Sequence, residues 1–336
     1  MDELNGKRVT RISIQQTHET NALIGFFKMP MVTEVHYKDG SSDSTTTWVE
    51  KEFTEIRVPN NGKKEIAYVL VDPNRNIIKQ VNFSRSFEEL SAQFTTAKNM
   101  IDRYDALLEL KKTELSKKKD VLIKQFDAEK FFLVKSEIIA QLGDDTDAST
   151  LNLMKKAMND ADVNVRKAVV NTVKVVNPSL KPEMEKMLAD SSYAIIISAL
   201  DLLCYNFPEN TDGYLEQTKN TDGNMFHNVR IKWLEVAFEK TKDMKYLYAL
   251  RDYADISRYD NPSVSAAITA FKRINYLDST LAGYLFNAAC YWSGPVNAPA
   301  KTALTFFFDQ NAYKRLLKDQ YKTLDGTMKE TLKEFK

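Results

Sequence analysis

Apolar residues in the first eighty or so positions tend to alternate with polar ones. After residue 86 they recur every third or fourth place instead. The alternating part predicts strands. Thr10 to Thr17 alternates around Ile12 and Ile14, Ile24 to Met29 is apolar and aromatic, and Met31 to Lys38 sets Val35 and Tyr37 against Glu34, His36 and Lys38. Thr45 to Val49 and Phe53 to Val58 carry the β-branched and aromatic residues that suit a pleated surface. Ile66 to Val71 is an almost unbroken apolar run, as for a central strand buried on both sides. Asp39-Gly40 and Asn60-Asn61-Gly62 are turn signals. Asp72-Pro73 ends the last long strand, and Ile77 to Phe83 is one more extended piece. Short strands with turns at this density predict a small antiparallel β-sandwich. So short a domain buries only about 60% of its unfolded surface. One face of the sheet is therefore expected to pack on something else.

Ser86-Phe87-Glu88-Glu89 marks the change of period. Serine followed three places later by glutamate forms a capping box, each side chain accepting from a helix-end amide. From there one helix type returns every 30–35 residues or so, the period range of stacked helical repeats. Val165-Arg166-Lys167-Ala168-Val169 is the reference; Val134-Lys135, Ile195-Ile196, Val229-Arg230 and Val264-Ser265 hold the same place, and Ile101-Asp102-Arg103 with Ala106 opens the series. Each such helix has one apolar stripe that is buried only by stacking on its neighbours. Gly143, Asn177-Pro178, Pro208, Thr221-Asp222-Gly223 and Asn261-Pro262 fall between helices. The prediction is a mainly α chain with an N-terminal all-β domain: a β-sandwich over 1–84, then a HEAT/ARM-like α-α superhelix of about seven helix pairs over 85–336, with a concave face.

Charge narrows the partners. Forty-seven basic and 46 acidic residues leave a formal net charge of +1, which argues against a nucleic-acid partner. No apolar run is long enough to span a bilayer, and the charged first residues show no secretory signal. Cys204 and Cys290 are far apart and read as free thiols.

The helices resemble HEAT-type repeats, most closely over Asp160-Ala161-Asp162-Val163-Asn164-Val165-Arg166-Lys167-Ala168. Ile14-Gln15-Gln16-Thr17, Phe27-Lys28-Met29-Pro30-Met31, Val71-Asp72-Pro73 and Lys79-Gln80-Val81-Asn82-Phe83 resemble the β-sandwich domain of aminopeptidase N-like zinc metallopeptidases. In that family the sandwich follows the catalytic domain and a helical superhelix follows the sandwich, the order read here. The resemblance implies a non-catalytic C-terminal region that shapes and caps a peptide-substrate chamber. Its partners would be the upstream catalytic domain of the same protein and the peptide substrate, with zinc held in that missing domain. The alternative is a stand-alone HEAT-like scaffold binding a protein or peptide on its concave face.

The family's zinc motif, H-E-x-x-H with a further glutamate, has no counterpart in the sequence, nor does its glycine-rich amine-binding motif. No catalytic, cofactor or metal residue is therefore expected in this chain. His18 reads as a strand-edge residue, His36 as solvated, and His227 as a polar cap at a helix start. Asp144-Asp145-Thr146-Asp147 lacks the glycine and distal glutamate of a calcium loop and reads as a capped turn. Lys111-Lys112 and Lys117-Lys118-Lys119, flanked by Glu109, Glu114 and Asp120, read as a solvated helix face. Gly283, Gly294 and Gly326 form no phosphate loop. Tyr284, Phe286, Tyr291, Trp292, Phe306-Phe307-Phe308 and Tyr313 read as core of the closing helices, with a peptide-lining surface as the functional reading. Arg103, Lys135, Arg166 and Arg230 recur at one place in the repeat. The expectation for them is a structural pairing with acids, or, under the resemblance, contact with a peptide carboxylate.

Overall fold

A computed structural model describes residues 2–4, 7–60, 62–143 and 145–335. Met1, Asn61 of the second predicted turn and Asp144 of the acidic run lie outside them. The chain divides into two compact units, 1–153 and 154–336.

The first unit begins with two antiparallel sheets. One orders β1 (Asp2–Leu4), β2 (Lys7–Gln15) and β5 (Phe53–Pro59), with β2 in the middle. The other orders β4 (Ser42–Val49), β3 (Met29–Tyr37) and β6 (Ile66–Val71), with β3 in the middle. Ile12 lies opposite Ile56 in the first sheet, and Val35 opposite Val69 in the second. Val35, Tyr37, Ile56 and Val58 form one buried cluster, with Ile12, Ile14, Ile66 and Val69 packed on it.

The apolar run in β6 has a different cause from the one its sequence predicts. β6 is an edge strand, hydrogen-bonded among the described strands only to β3, yet both of its faces are covered. Ile66 and Val69 face the sheet cluster, while Tyr68 and Leu70 pack with Ala97 and with Ala92 of α1 (Phe87–Thr96). This is the support the small sandwich was expected to need.

A second difference lies before β3. Ile24 to Lys28 is loop rather than strand, and Leu23, Ile24, Phe26 and Phe27 are exposed. The Gln16 side chain explains the exit from the sheet. Its Nε2 donates to the Phe27 carbonyl at 2.9 Å and its Oε1 accepts from the Phe27 amide at 2.9 Å. One side-chain amide thus replaces a strand partner, and β2 stops at Gln15. Ile77 to Phe83 is also unpaired; it leads away from Asp72, whose carboxylate accepts from the amides of Asn76 and Ile77 and from Lys79.

The capping box forms as read: the Glu89 amide donates to Ser86 Oγ and the Ser86 amide to Glu89 Oε2. After α1 come α2 (Met100–Glu109), α3 (Leu115–Ala128) and α4 (Phe132–Leu142). α5 (Ala148–Met158) crosses the division between the units.

The second unit contains α6 (Val163–Thr172), α7 (Lys181–Lys186), α8 (Tyr193–Asn206), α9 (Thr211–Thr218) and α10 (Asn228–Thr241). They are followed by α11 (Met244–Asp252), α12 (Asn261–Ile274), α13 (Ser279–Ala289), α14 (Gly294–Phe308), α15 (Asn311–Thr323) and α16 (Gly326–Thr331). Within it α6, α8, α10, α12 and α14 pack in succession, each on the next. Val134, Val165, Ile195, Val229 and Val264 are all completely buried, so the repeat register read from the sequence holds at every one. Val296 of α14 extends it by a further unit. Each such side chain contributes roughly 1.5–3 kcal/mol by leaving water. Among the described residues no helix is long and apolar enough to cross a membrane.

Candidate functional site

The recurring arginines separate into two kinds. Arg103 sits in the first turn of α2. Its Nη1 donates to the carbonyls of Ala97 and Lys98 at 3.0 Å each, and its Nε and Nη2 donate to Glu129 at 2.8 and 2.9 Å. Glu129 then accepts from the amides of Lys130 and Phe131, at the start of α4. Arg166, in the first turn of α6, repeats this wiring. Its Nη1 donates to the carbonyls of Asp160 and Ala161, and its Nε and Nη2 donate to Asp190 at 2.7 and 2.9 Å. Asp190 then accepts from the Ser192 amide at the start of α8.

Each arginine therefore clasps the loop just before its own helix to the loop before the next helix of the same type. Both carboxylates are nearly inaccessible. Burial alone pushes Glu129 and Asp190 up, but the guanidinium and amide donors overcome it, and both finish below the usual carboxylate range. Planar bidentate pairing of this kind is the strong form of a charged hydrogen bond.

Arg230 holds the same place in the repeat and makes no such clasp. No carboxylate oxygen of the described residues lies within 4.0 Å of its guanidinium. It rests instead over the Trp233 ring, 4.6 Å from the centroid. The preceding turn accounts for the difference. Gly223, Asn224 and His227 all have positive φ, at 98°, 66° and 51°. In the clasped repeats the arginine takes the carbonyl six residues before it. Here that carbonyl, on Asn224, is turned into the tight turn, where it accepts from the His227 amide at 3.1 Å and not from the guanidinium. Gly223 is required: a Cβ there would stand 2.7 Å from the Val229 nitrogen and 2.9 Å from that of Asn228.

An acid also waits at the right distance along the chain. Asp255 accepts from the Ser257 amide at 2.9 Å, as Asp190 does from Ser192, but its carboxylate faces Arg258 at 3.6 Å. Asp222 is held by His227 Nδ1 at 2.7 Å. Each neighbouring carboxylate named here thus has its own side-chain partner, and Arg230 is left over.

Aromatic rings surround this place. His227 lies 5.3 Å from Tyr253 and 5.8 Å from Tyr259, and the two tyrosine rings are 4.7 Å apart. Burial foremost, then the Asp222 charge, raises the Tyr253 hydroxyl pKa, with Arg230 pulling the other way. Ser263 Oγ donates to the Phe226 carbonyl at 2.7 Å, and Asn261 Nδ2 to Ser293 Oγ at 3.1 Å. The loops opening α10, α12 and α14 are therefore tied side by side. They expose Met225, Phe226 and Trp292.

The remaining candidates fall elsewhere. His18 contacts the Gly25 carbonyl at 3.0 Å and packs on Phe27, in the loop rather than in a strand. His36 is half-buried rather than solvated, stacked on Tyr68 at 4.4 Å with Glu34 at 2.9 Å. His227 does sit at the start of α10, without a capping hydrogen bond from its side chain. With the three histidines on different partners, the zinc ligand set of the peptidase family has no fit here. Among the described residues no group of three or more histidine, cysteine or acidic side chains is arranged to hold a metal.

The lysine cluster is internally paired. Lys118 is buried and donates to the Leu110 carbonyl and Gln141, Lys111 pairs with Glu137, and Lys119 reaches Asp145 and Asp147. That last contact accounts for the described part of the acidic run. Phe286 and Phe307 are core, and Tyr284, Tyr291, Phe306, Phe308 and Tyr313 pack against it; only Trp292 of that group is open to solvent. Both cysteines are free thiols, and burial drives Cys204 up to about 11.

No protein-family model and no curated protein matches the chain. Solved structures do. A complex of CpcE and CpcF, phycocyanin lyase from Nostoc sp. PCC7120, matches at 15% identity over 74% of this chain and 98% of that one, with a TM-score of 0.46. Legionella pneumophila aminopeptidase A, solved with aspartic acid, matches at 13% identity over 96% of this chain and 48% of that one, with a TM-score of 0.41. Human deoxyhypusine hydroxylase, solved with glycerol, matches at 12% identity over 73% and 93%, with a TM-score of 0.30. At these values the likenesses carry no argument about function.

Proposed function

We propose that this chain is the non-catalytic C-terminal region of a zinc-dependent aminopeptidase, and that its helices help to enclose the space in which peptides are held. The observation carrying this reading is an order of parts: two small antiparallel sheets, a capping-box helix, then helix pairs in register, in a sequence that resembles that family at the front and has no H-E-x-x-H. Zinc and the water-activating glutamate would belong to an upstream catalytic domain, and residues 1–84 and 85–336 would be the two structural domains that follow it. The test is genetic and enzymatic together. Extending the reading frame upstream should reveal H-E-x-x-H. Purified chain supplied with zinc should leave aminoacyl-anilides intact, and robust hydrolysis by pure material defeats the proposal.

The exposed Met225, Phe226 and Trp292, on the loops that open α10 and α14, favour one second reading. A scaffold that binds a protein or peptide needs such a surface whether or not a catalytic domain precedes it. A stop codon immediately upstream would select that reading.

A further inference from the structure

Two arginines at one place in the repeat each hold a carboxylate in a bidentate fork, and the third holds none among the described residues. We propose that Arg230 is a binding site for a carboxylate from outside the chain, presented by a peptide whose neighbouring side chain packs against His227, Tyr253 and Tyr259. The proposal holds for a chamber wall and for a scaffold alike.

Four observations support it. The chemistry is the one this position already performs twice within the molecule. The internal competitors are engaged, Asp222 with His227 and Asp255 with Arg258. The guanidinium is half-buried on Trp233, and the Trp233 indole is itself fixed by donating to the Leu215 carbonyl at 2.8 Å, so the cation is held in place before any ligand arrives. The turn that withholds the usual partner holds two non-glycine residues, Asn224 and His227, in left-handed backbone beside Gly223; strain of this kind clusters at functional sites. A guanidinium suits a carboxylate because its paired N–H groups match the two oxygens.

A carboxylate on a peptide has two sources, the chain terminus and an acidic side chain. Calorimetry on the whole chain separates them with three probes: acetyl-Gly-Ala-Phe with a free carboxylate, its C-terminal amide, and acetyl-Gly-Glu-Phe-amide. At least one carboxylate peptide should bind saturably, and the uncharged amide at least tenfold more weakly, as a charged hydrogen-bonded pair requires. Preference for the first or the third probe assigns the source. Arg230→Gln should cost the bound carboxylate peptide the same factor and should add nothing to the loss already seen with the amide. Arg230→Lys, a point charge without the fork, should recover only part of it.

Arg230 makes no ion pair among the described residues, so these variants should keep the wild-type circular dichroism and lower the urea midpoint only slightly, through weaker stacking on Trp233, and unequal folding cannot imitate the result. Equal binding of all three peptides, unchanged binding by Arg230→Gln, or no saturable binding up to millimolar peptide overturns the proposal. A missing upstream H-E-x-x-H would defeat the aminopeptidase reading and leave this result untouched.

Discussion

Arg166 and Arg230 occupy equivalent places in the repeats of the same unit, yet one is a strut and the other meets a ring and, among the described residues, no carboxylate. Both are followed, 24 or 25 residues on, by an aspartate that accepts from the amide two residues beyond it. The difference lies upstream. Before Arg166 the loop carbonyls of Asp160 and Ala161 point at the guanidinium and orient it toward Asp190. Before Arg230 the turn from Gly223 to His227 satisfies its own carbonyl and turns the arginine onto Trp233. A repeated residue specifies a repeated contact only when the loop that aims it repeats as well.

The largest test of this comparison is to cut a closed clasp. Arg166→Ala leaves the Asp190 carboxylate in a nearly inaccessible place with one amide and one hydroxyl for company. Loss of one partner from a buried pair costs about 3–5 kcal/mol. Arg103→Ala strands Glu129 similarly. Urea unfolding at neutral pH should show both losses as lowered midpoints, and a loss under about 1 kcal/mol in either, the range of an exposed pair, would remove the clasp from the stabilising contacts.

Acid provides the next test. Glu129 and Asp190 have folded pKa values below their unfolded ones. Their contribution is therefore fully present above the unfolded carboxylate value of about 4 and is lost as pH falls through the lower folded values. Urea midpoints followed from pH 7 to pH 3 should drop more steeply for the wild type than for Arg166→Ala, so that the gap between them narrows at the acid end. Parallel curves would contradict the assignment.

How much of this was legible in the sequence follows from the range of each signal. The buried register at Val134, Val165, Ile195, Val229 and Val264 was readable because helical periodicity is local and survives a variable loop. Val296 escaped because Ser293-Gly294-Pro295 and the internal Pro299 look like breaks, although the first proline sits where a helix tolerates it. Ile24 to Lys28 looked like a strand because its composition suits one; whether it pairs depends on Gln16, eleven residues before Phe27. β6 looked central because an apolar run reports burial and not hydrogen-bonding neighbours. The arginine row was visible in the sequence. Which member stays open was not, because that depends on backbone angles at Asn224 and His227, residues that do not announce left-handed conformations as glycine does.

A third test acts on the turn itself. Gly223→Ala sets a methyl against two backbone nitrogens that have no room to yield and imposes a side chain at φ 98°. The turn must shift, at a cost of about 1–3 kcal/mol. Thermal melting should report that loss, and carboxylate-peptide affinity should fall with it. A neutral Gly223→Ala would show that the turn does not set the arginine's direction.

The smallest expected effect is the most discriminating. Arg230→Ala removes the same side chain as Arg166→Ala at the same place in the repeat. It strands no carboxylate and breaks only the stacking on Trp233, worth about 0.5–1 kcal/mol at a partly exposed site. Urea unfolding at pH 7 should therefore separate the two alanine variants several-fold in free energy. A loss of about 3 kcal/mol or more, the cost of breaking a buried pair, would mean that Arg230 closes on Asp255 in solution. The turn would then not be holding the clasp open, and the guanidinium would have no capacity left for a carboxylate from outside.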